Sequence, residues 1–134
     1  MEAEITGLRL TRDLDPFPNW LIDRSGEYML VNREFERLFL QPQGKTYRDA
    51  IGKTHEQLGW PSNLCLALKA LDVEARSRPD GRASTRVTTV LPELGQVVLT
   101  IHKFPVRIKD AIIAYAGFVT EVEADDKLIG IPTK

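Results

Sequence analysis

Cysteine is nearly absent from this chain, charge of either sign is in no excess, and no long apolar run occurs. Eighteen Lys and Arg stand against 19 Asp and Glu in 134 residues, a formal net charge of -1, with a pI near 6.1. That balance leaves no basic stripe for nucleic acid and no polybasic patch for a lipid surface. The lone Cys65 excludes an internal disulfide. No stretch has the length or flanks of a membrane span or signal peptide, so the expected compartment is the cytoplasm. Catalytic signatures are missing too: there is no G-x-S-x-G, no Gly-rich phosphate loop and no defensible Cys/His or Ser/His pair. His55 and His102, the only histidines, lack metal-ligand spacing with Cys65 or the acids, and no metal is expected. Adjacent Asp125 and Asp126 read as a solvated pair rather than as catalytic carboxylates.

What is present is a core of ordinary size. Hydrophobic residues make up 43% of the chain, enough for one domain. The most informative stretch is residues 19–39, NWLIDRSGEYMLVNREFERLF. Trp20, Leu21 and Ile22 form one apolar strand, Asp23-Arg24-Ser25-Gly26 a tight turn whose Gly supplies positive φ, and Tyr28, Met29, Leu30 and Val31 the returning strand. Asn32 stands where a helix N-cap belongs. Phe35, Leu38 and Phe39 follow at helical spacing, with Arg33, Glu34, Glu36 and Arg37 on the other face, until Gln41-Pro42-Gln43-Gly44 ends the helix.

Downstream, residues 46–58 carry short helical character around 47–51, interrupted by Gly52. Pro61 suits the first turn of a longer helix running to about Arg78, with Pro79-Asp80-Gly81 as its exit turn. On that helix Leu64, Leu68, Leu71 and Ala75 form a core-facing ridge. Leu66, Ala70 and Val73 form a second ridge, left for solvent or a partner, and Cys65 shares the separating face with Lys69, Asp72 and Arg76. Residues 83–91 alternate as a half-buried strand, with Thr85, Val87, Thr89 and Leu91 on one face. A turn at Pro92-Glu93-Leu94-Gly95 leads to a strand over 96–106, with Val97, Leu99 and Ile101 on one face and Val98, Thr100, His102 and Phe104 on the other. After a turn at 107–110, residues 111–122 are apolar on both faces: Ile112, Ala114, Ala116 and Phe118 against Ile113, Tyr115, Gly117 and Val119. A central, doubly covered strand is implied.

The order strand, strand, helices, three antiparallel strands resembles the PAS domain family. The resemblance rests on the turn at 23–26, the VNREFERLF helix entry at Asn32, and Ile51-Gly52-Lys53-Thr54, which is similar to the family's I-G-K-T element. It also rests on the long helix, the meander, and Val119-Thr120-Glu121 where many members carry D-I-T-E, and it spans residues 14–123. It implies an α+β fold: a five-stranded antiparallel sheet in the order 2-1-5-4-3 with helices mainly on one face. The expected organisation is an N-terminal segment over 1–18 acting as cap or dimer arm, the PAS-like domain over 19–123, and the start of a linker over 124–134. Met1 reads as a native start, placing the output domain after Lys134.

By resemblance, the chain is expected to be a non-catalytic sensory or dimerisation module of a cytoplasmic signalling protein. A DNA-binding transcriptional regulator is the favoured output; a histidine kinase or diguanylate cyclase is the alternative. A small molecule is expected between helices and inner sheet, with Phe35, Phe39, Trp60, Leu64, Leu68, Leu99, Ile101 and Tyr115 as pocket candidates. Trp60 and Tyr115 need polar partners when buried. The competing expectation is an interaction domain whose core these residues simply fill. A small α+β enzyme would require a buried acid or histidine in the cavity, and the apolar core positions show none. Flavin is not expected, since SNLCLAL matches the flavin-photoreceptor N-C-R-F-L-Q only at Cys65 and one Leu. Haem is not expected either, because neither histidine lies on the long helix. Phe118 replaces the Asp that in the family couples sheet to output helix, leaving Thr120 and Glu121 as output candidates, with residues 124–129 able to begin a short output helix. A homodimer is expected through the outer face of the last strand, helped by residues 1–18.

Overall fold

The computed structural model describes residues 16–78, 81–124 and 127–128. Residues 1–15 of the expected N-terminal segment, the Asp125-Asp126 pair and most of the linker lie outside the described residues. So do Pro79 and Asp80 of the exit turn, although Gly81 N–H donates to the Arg78 carbonyl at 3.1 Å.

Strands β1 (Asn19–Asp23) and β2 (Tyr28–Val31) form a hairpin, and β3 (Ala83–Leu91), β4 (Gly95–Ile108) and β5 (Ala111–Ala124) form the meander. All pair antiparallel, in the order β2-β1-β5-β4-β3. Central β5 is thus flanked by β1 and β4, as its two apolar faces require. The β1–β2 turn is built by Asp23, whose Oδ1 accepts from Ser25 N, Ser25 Oγ and Glu27 N, with Gly26 at φ 91°. Where a short output helix was expected over 124–129, Lys127–Leu128 instead forms a two-residue strand β6, folded back on Glu123 and Ala124.

Between hairpin and meander lie α1 (Arg33–Phe35), α2 (Tyr47–Ala50) and α3 (Ser62–Ser77). Asn32 is the expected N-cap, its Oδ1 accepting from Phe35 N at 3.0 Å. The regular helix anticipated after it is only three residues long. It widens into a π-helical turn over Glu36–Leu40 and then tightens into a 3-10 turn over Gln41–Gln43. In the wide turn Leu38, Phe39 and Leu40, three consecutive residues, are all buried, over a narrower arc than a 3.6-residue period would spread them. Gly44, at φ 73°, closes the segment. The 51–54 element borders β2: Gly52 N–H donates to the Tyr28 carbonyl at 2.8 Å and Tyr28 N–H to the Lys53 carbonyl at 2.9 Å.

Helix α3 lies over β3 and β4 and begins one residue later than expected, with Pro61 as the cap residue. Its start is tied to β3 by Asn63, which donates to the Thr88 carbonyl at 2.6 Å and accepts from Thr89 Oγ1 at 3.0 Å. Leu64, Leu68, Leu71 and Ala75 face the core as expected, while Leu66 and Val73 are 69% and 54% exposed. Cys65, expected beside Lys69, is buried with the core ridge, because it sits one position from Leu64 on the same side of the helix.

Two bulges in β5 change which side chains face inward. Pairing with β4 skips Ile113 and Thr120, each an extra residue opposite the β4 backbone. Alternation holds from Ala114 to Val119 but reverses outside that stretch. Ile112, expected with Ala114 and Ala116, therefore packs against the inner cluster, and Ile113 against the outer one. Val122 takes the inward position beyond Thr120. Inward-facing Gly117 is indispensable for packing: a Cβ there would lie 2.4 Å from Trp20 ring atoms, so the indole occupies the space a side chain would take.

Candidate functional site

The inner cluster is organised around Phe35. Its ring centroid lies 5.6 Å from Trp20, 5.6 Å from Tyr28, 5.3 Å from Phe39 and 6.2 Å from Trp60, all tilted or edge-on. Such edge contacts add to the area each ring buries. Between these rings, α3 and the inner sheet face remains a void of about 20 Å³. That is room for about one water.

Seven of the eight pocket candidates wall this void: Phe35, Phe39, Trp60, Leu64, Leu68, Leu99 and Ile101, joined by Trp20, Tyr28, Leu91 and Val119. Tyr115 is buried but turned elsewhere; its hydroxyl accepts from Arg76 Nη1 at 3.2 Å at the far end of α3. The hairpin residues Trp20 and Tyr28 were absent from the expected lining. Trp20 and Ile22 alternate onto the inner face of β1, whereas Tyr28 is turned inward together with Val31 by a bulge at Met29 in the β1–β2 pairing, which alternation alone does not show.

Polar groups border the aromatic cluster. Trp60 Nε1–H donates to the Tyr28 hydroxyl at 3.1 Å, giving Trp60 the partner it was expected to need, and that hydroxyl lies 2.8 Å from His55 Nδ1. The Tyr28 proton has only Nδ1 to go to, which assigns the ring hydrogen of His55 to Nε2. That atom is buried and has no hydrogen-bond partner among the described residues. His55 is 3% exposed and packed edge-on against Tyr28, beside the void but not among the residues that wall it. Burial, reinforced by the charge of Lys103, pulls its pKa down to about 3, so the ring is neutral. Burial likewise holds the Tyr28 phenol far above its ordinary value.

Lys103 is the unforeseen member. Its side chain is 0% exposed, with Nζ 2.8 Å from Asp72 Oδ1 of α3 and 5.8 Å from the Trp20 ring centroid. Burial lowers its pKa, and the Asp72 carboxylate beside it opposes that shift. The signal was present in the sequence: Lys103 continues the inward series Val97, Leu99, Ile101 at period 2.

Cys65 is buried, its thiol pushed up by burial and placed 3.6 Å from the Trp60 carbonyl, and it is not part of the cavity wall. His102 lies on the outer face, bonded to Ser84 Oγ and Thr120 Oγ1 and stacked on Phe118 at 4.8 Å. Glu121 accepts from Thr100 Oγ1 at 3.0 Å, so both output candidates are engaged with β4. Among the described residues no group of three His, Cys, Asp or Glu side chains converges as metal ligands, and no helix is long and apolar enough to cross a membrane.

No protein-family model matches the sequence, and no curated protein matches it. Solved structures do. The PAS domain of Bordetella pertussis BvgS superposes with a TM-score of 0.69 at 16% identity, over 87% of this chain and 85% of that one. The phage VqmA–DPO complex gives 0.69 at 18% identity over 92% of this chain, which spans 53% of the VqmA chain. The Rhodobacter sphaeroides LOV protein gives 0.65 at 16% identity, over 87% of this chain and 66% of that one. With the strand order β2-β1-β5-β4-β3, these likenesses show that the chain has the PAS fold.

Proposed function

We propose that the chain is a non-catalytic sensory module of a signal-transduction protein, which takes a small aromatic or heteroaromatic molecule with a hydrogen-bonding edge into the space between α3, the π turn and the inner sheet. The observation that carries this reading is the fully buried Lys103 ammonium, paired with the partly buried Asp72 behind an aromatic cavity wall. A core that only had to be filled gains nothing from such a pair, because apolar residues of similar volume are as stable or more so. Lys103 stands behind Trp20, itself a wall residue, and becomes a donor to a guest once the wall parts. The likeness to VqmA, whose structure holds DPO, supports the same reading. At about 20 Å³ the void is far smaller than an organic molecule, so a ligand enters by displacing α3 or the π turn, and that displacement is the signal. Output then runs through residues 119–129, with Thr120 and Glu121 at the β5 bulge, to a transcriptional regulator, histidine kinase or diguanylate cyclase domain. Half-buried Met29, Phe104, Val106 and Ile113 on the outer face support pairing of two copies through that face.

Native mass spectrometry of freshly purified protein, followed by thermal-shift screening with small aromatic heterocycles, tests the reading. A ligand at a hundred times its Kd stabilises by about 2.7 kcal/mol, and Lys103→Met abolishes that shift while remaining folded. If nothing co-purifies and no compound shifts the melt, the filled-core interaction domain replaces the sensor.

A further inference from the structure

At the sheet end remote from the start of α3, Arg24 of the β1–β2 turn, Arg76 in the last turn of α3 and Arg107 near the end of β4 surround an open cleft of about 490 Å³. Asp110, Ala111, Ile112 and Tyr115 complete its wall. We infer that this cleft is a second ligand site, for a small organic dianion bearing phosphate or carboxylate groups on a compact apolar body.

Arg37, Arg78 and Arg86 each hold a carboxylate, from Glu34, Glu74 and Glu123. Arg24, Arg76 and Arg107 hold none among the described residues. Arg76 donates to the Tyr115 hydroxyl at 3.2 Å, and Arg107 reaches the Asp110 carbonyl at 3.5 Å, the outer limit of a hydrogen bond. Three guanidinium groups against the single carboxylate of Asp110 leave a formal local charge of +2 (3 - 1) on a chain whose total is -1. The general charge of the protein therefore repels anions while this cleft attracts them.

Geometry adds selectivity. The three arginines come from separate elements, so their forks approach one volume from different directions, as a ligand with two anionic groups requires. Ile112 and Tyr115 supply an apolar wall for its body, and the volume is within the range of small-molecule sites. A basic residue in a final helical turn also favours the helix dipole, which accounts for Arg76 alone but not for Arg24 or Arg107. The cleft is separate from the core void, shares no lining residue with it, and stands or falls independently of the sensor reading.

The test is a titration of the ¹⁵N-labelled full chain, at constant ionic strength, with phenyl phosphate, succinate and inorganic phosphate in parallel, following arginine Nε–Hε signals. Saturable shifts at Arg24, Arg76 and Arg107, with Arg37, Arg78 and Arg86 unmoved, are expected from phenyl phosphate or succinate, and whichever binds tighter identifies the anionic group. Arg107→Gln and Arg24→Gln, both at exposed positions, weaken binding at least about tenfold, the worth of one charge-assisted hydrogen-bond pair, and Arg86→Gln leaves it unchanged. Non-saturating shifts spread over all arginines, equal affinity in Arg107→Gln, or binding of a polyglutamate peptide but of none of the three small anions would overturn the proposal.

Discussion

Acid should loosen this fold chiefly through one ring. His55 is almost wholly buried, bonded through Nδ1 to Tyr28 and close enough to Lys103 for that charge to oppose protonation. Its pKa is about 3 in the folded chain, against about 6.5 when unfolded. Between those values the unfolded chain binds a proton that the folded chain refuses, so stability falls as the pH falls through this window. The full difference corresponds to about 5 kcal/mol, and at pH 5 the loss relative to pH 7.5 is about 2 kcal/mol. Urea unfolding at pH 7.5, 6, 5 and 4.5 measures it, with His55→Gln as reference. The variant is less stable at neutral pH, where it lacks the ring's packing, but its curve is flatter toward acid by about the same 2 kcal/mol at pH 5. His102, the other histidine, is partly exposed and shifted down by burial, so His102→Gln should retain most of the slope. Parallel pH curves for wild type and His55→Gln would refute the reasoning, as would a His55 ring that titrates by NMR near pH 6.5.

Asp72→Asn leaves the Lys103 ammonium buried without its counter-charge and should cost about 3–5 kcal/mol, whereas Lys103→Met with Asp72→Leu should recover most of that loss; paired denaturation curves read both. Gly117→Ala drives a methyl into the Trp20 indole, and a cost of about 1–3 kcal/mol is expected by calorimetry, with blue- or red-shifted indole fluorescence reporting the displaced ring.

The elements most readable from the sequence were those where local chemistry and tertiary need agree. The Asp23–Gly26 turn, the Asn32 cap and the α3 core ridge each follow from a few residues, and each stands where expected. Seven of the eight pocket candidates meet at one void because apolar positions at helical or strand period converge on a single core. What escaped was non-local. The bulges at Ile113 and Thr120 have no signature in strand alternation, since which residue is skipped depends on the opposing strand. The π turn after Phe35, in which three consecutive apolar residues are buried, has no signature in helical spacing. His55 and Lys103 are polar residues at inward positions: strand period places Lys103 inside, and the phenol of Tyr28 gives His55 a partner there that no local pattern signals.

Asn32 does more than cap a helix. Its Oδ1 also accepts from Asn19 N at 2.9 Å and its Nδ2 donates to the Phe17 carbonyl at 2.8 Å, while the neighbouring Pro18 carbonyl accepts from Val119 N at 2.9 Å. One carboxamide thus works as a rivet through the aromatic wall, the first residue of β1 and the strand's approach. A guest that pushes the Phe35 turn outward must either shear that rivet or drag the approach to β1 along with it. Under the proposed sensor reading, a displacement of that turn would be felt at the approach to β1 and, through the Pro18–Val119 hydrogen bond, at β5.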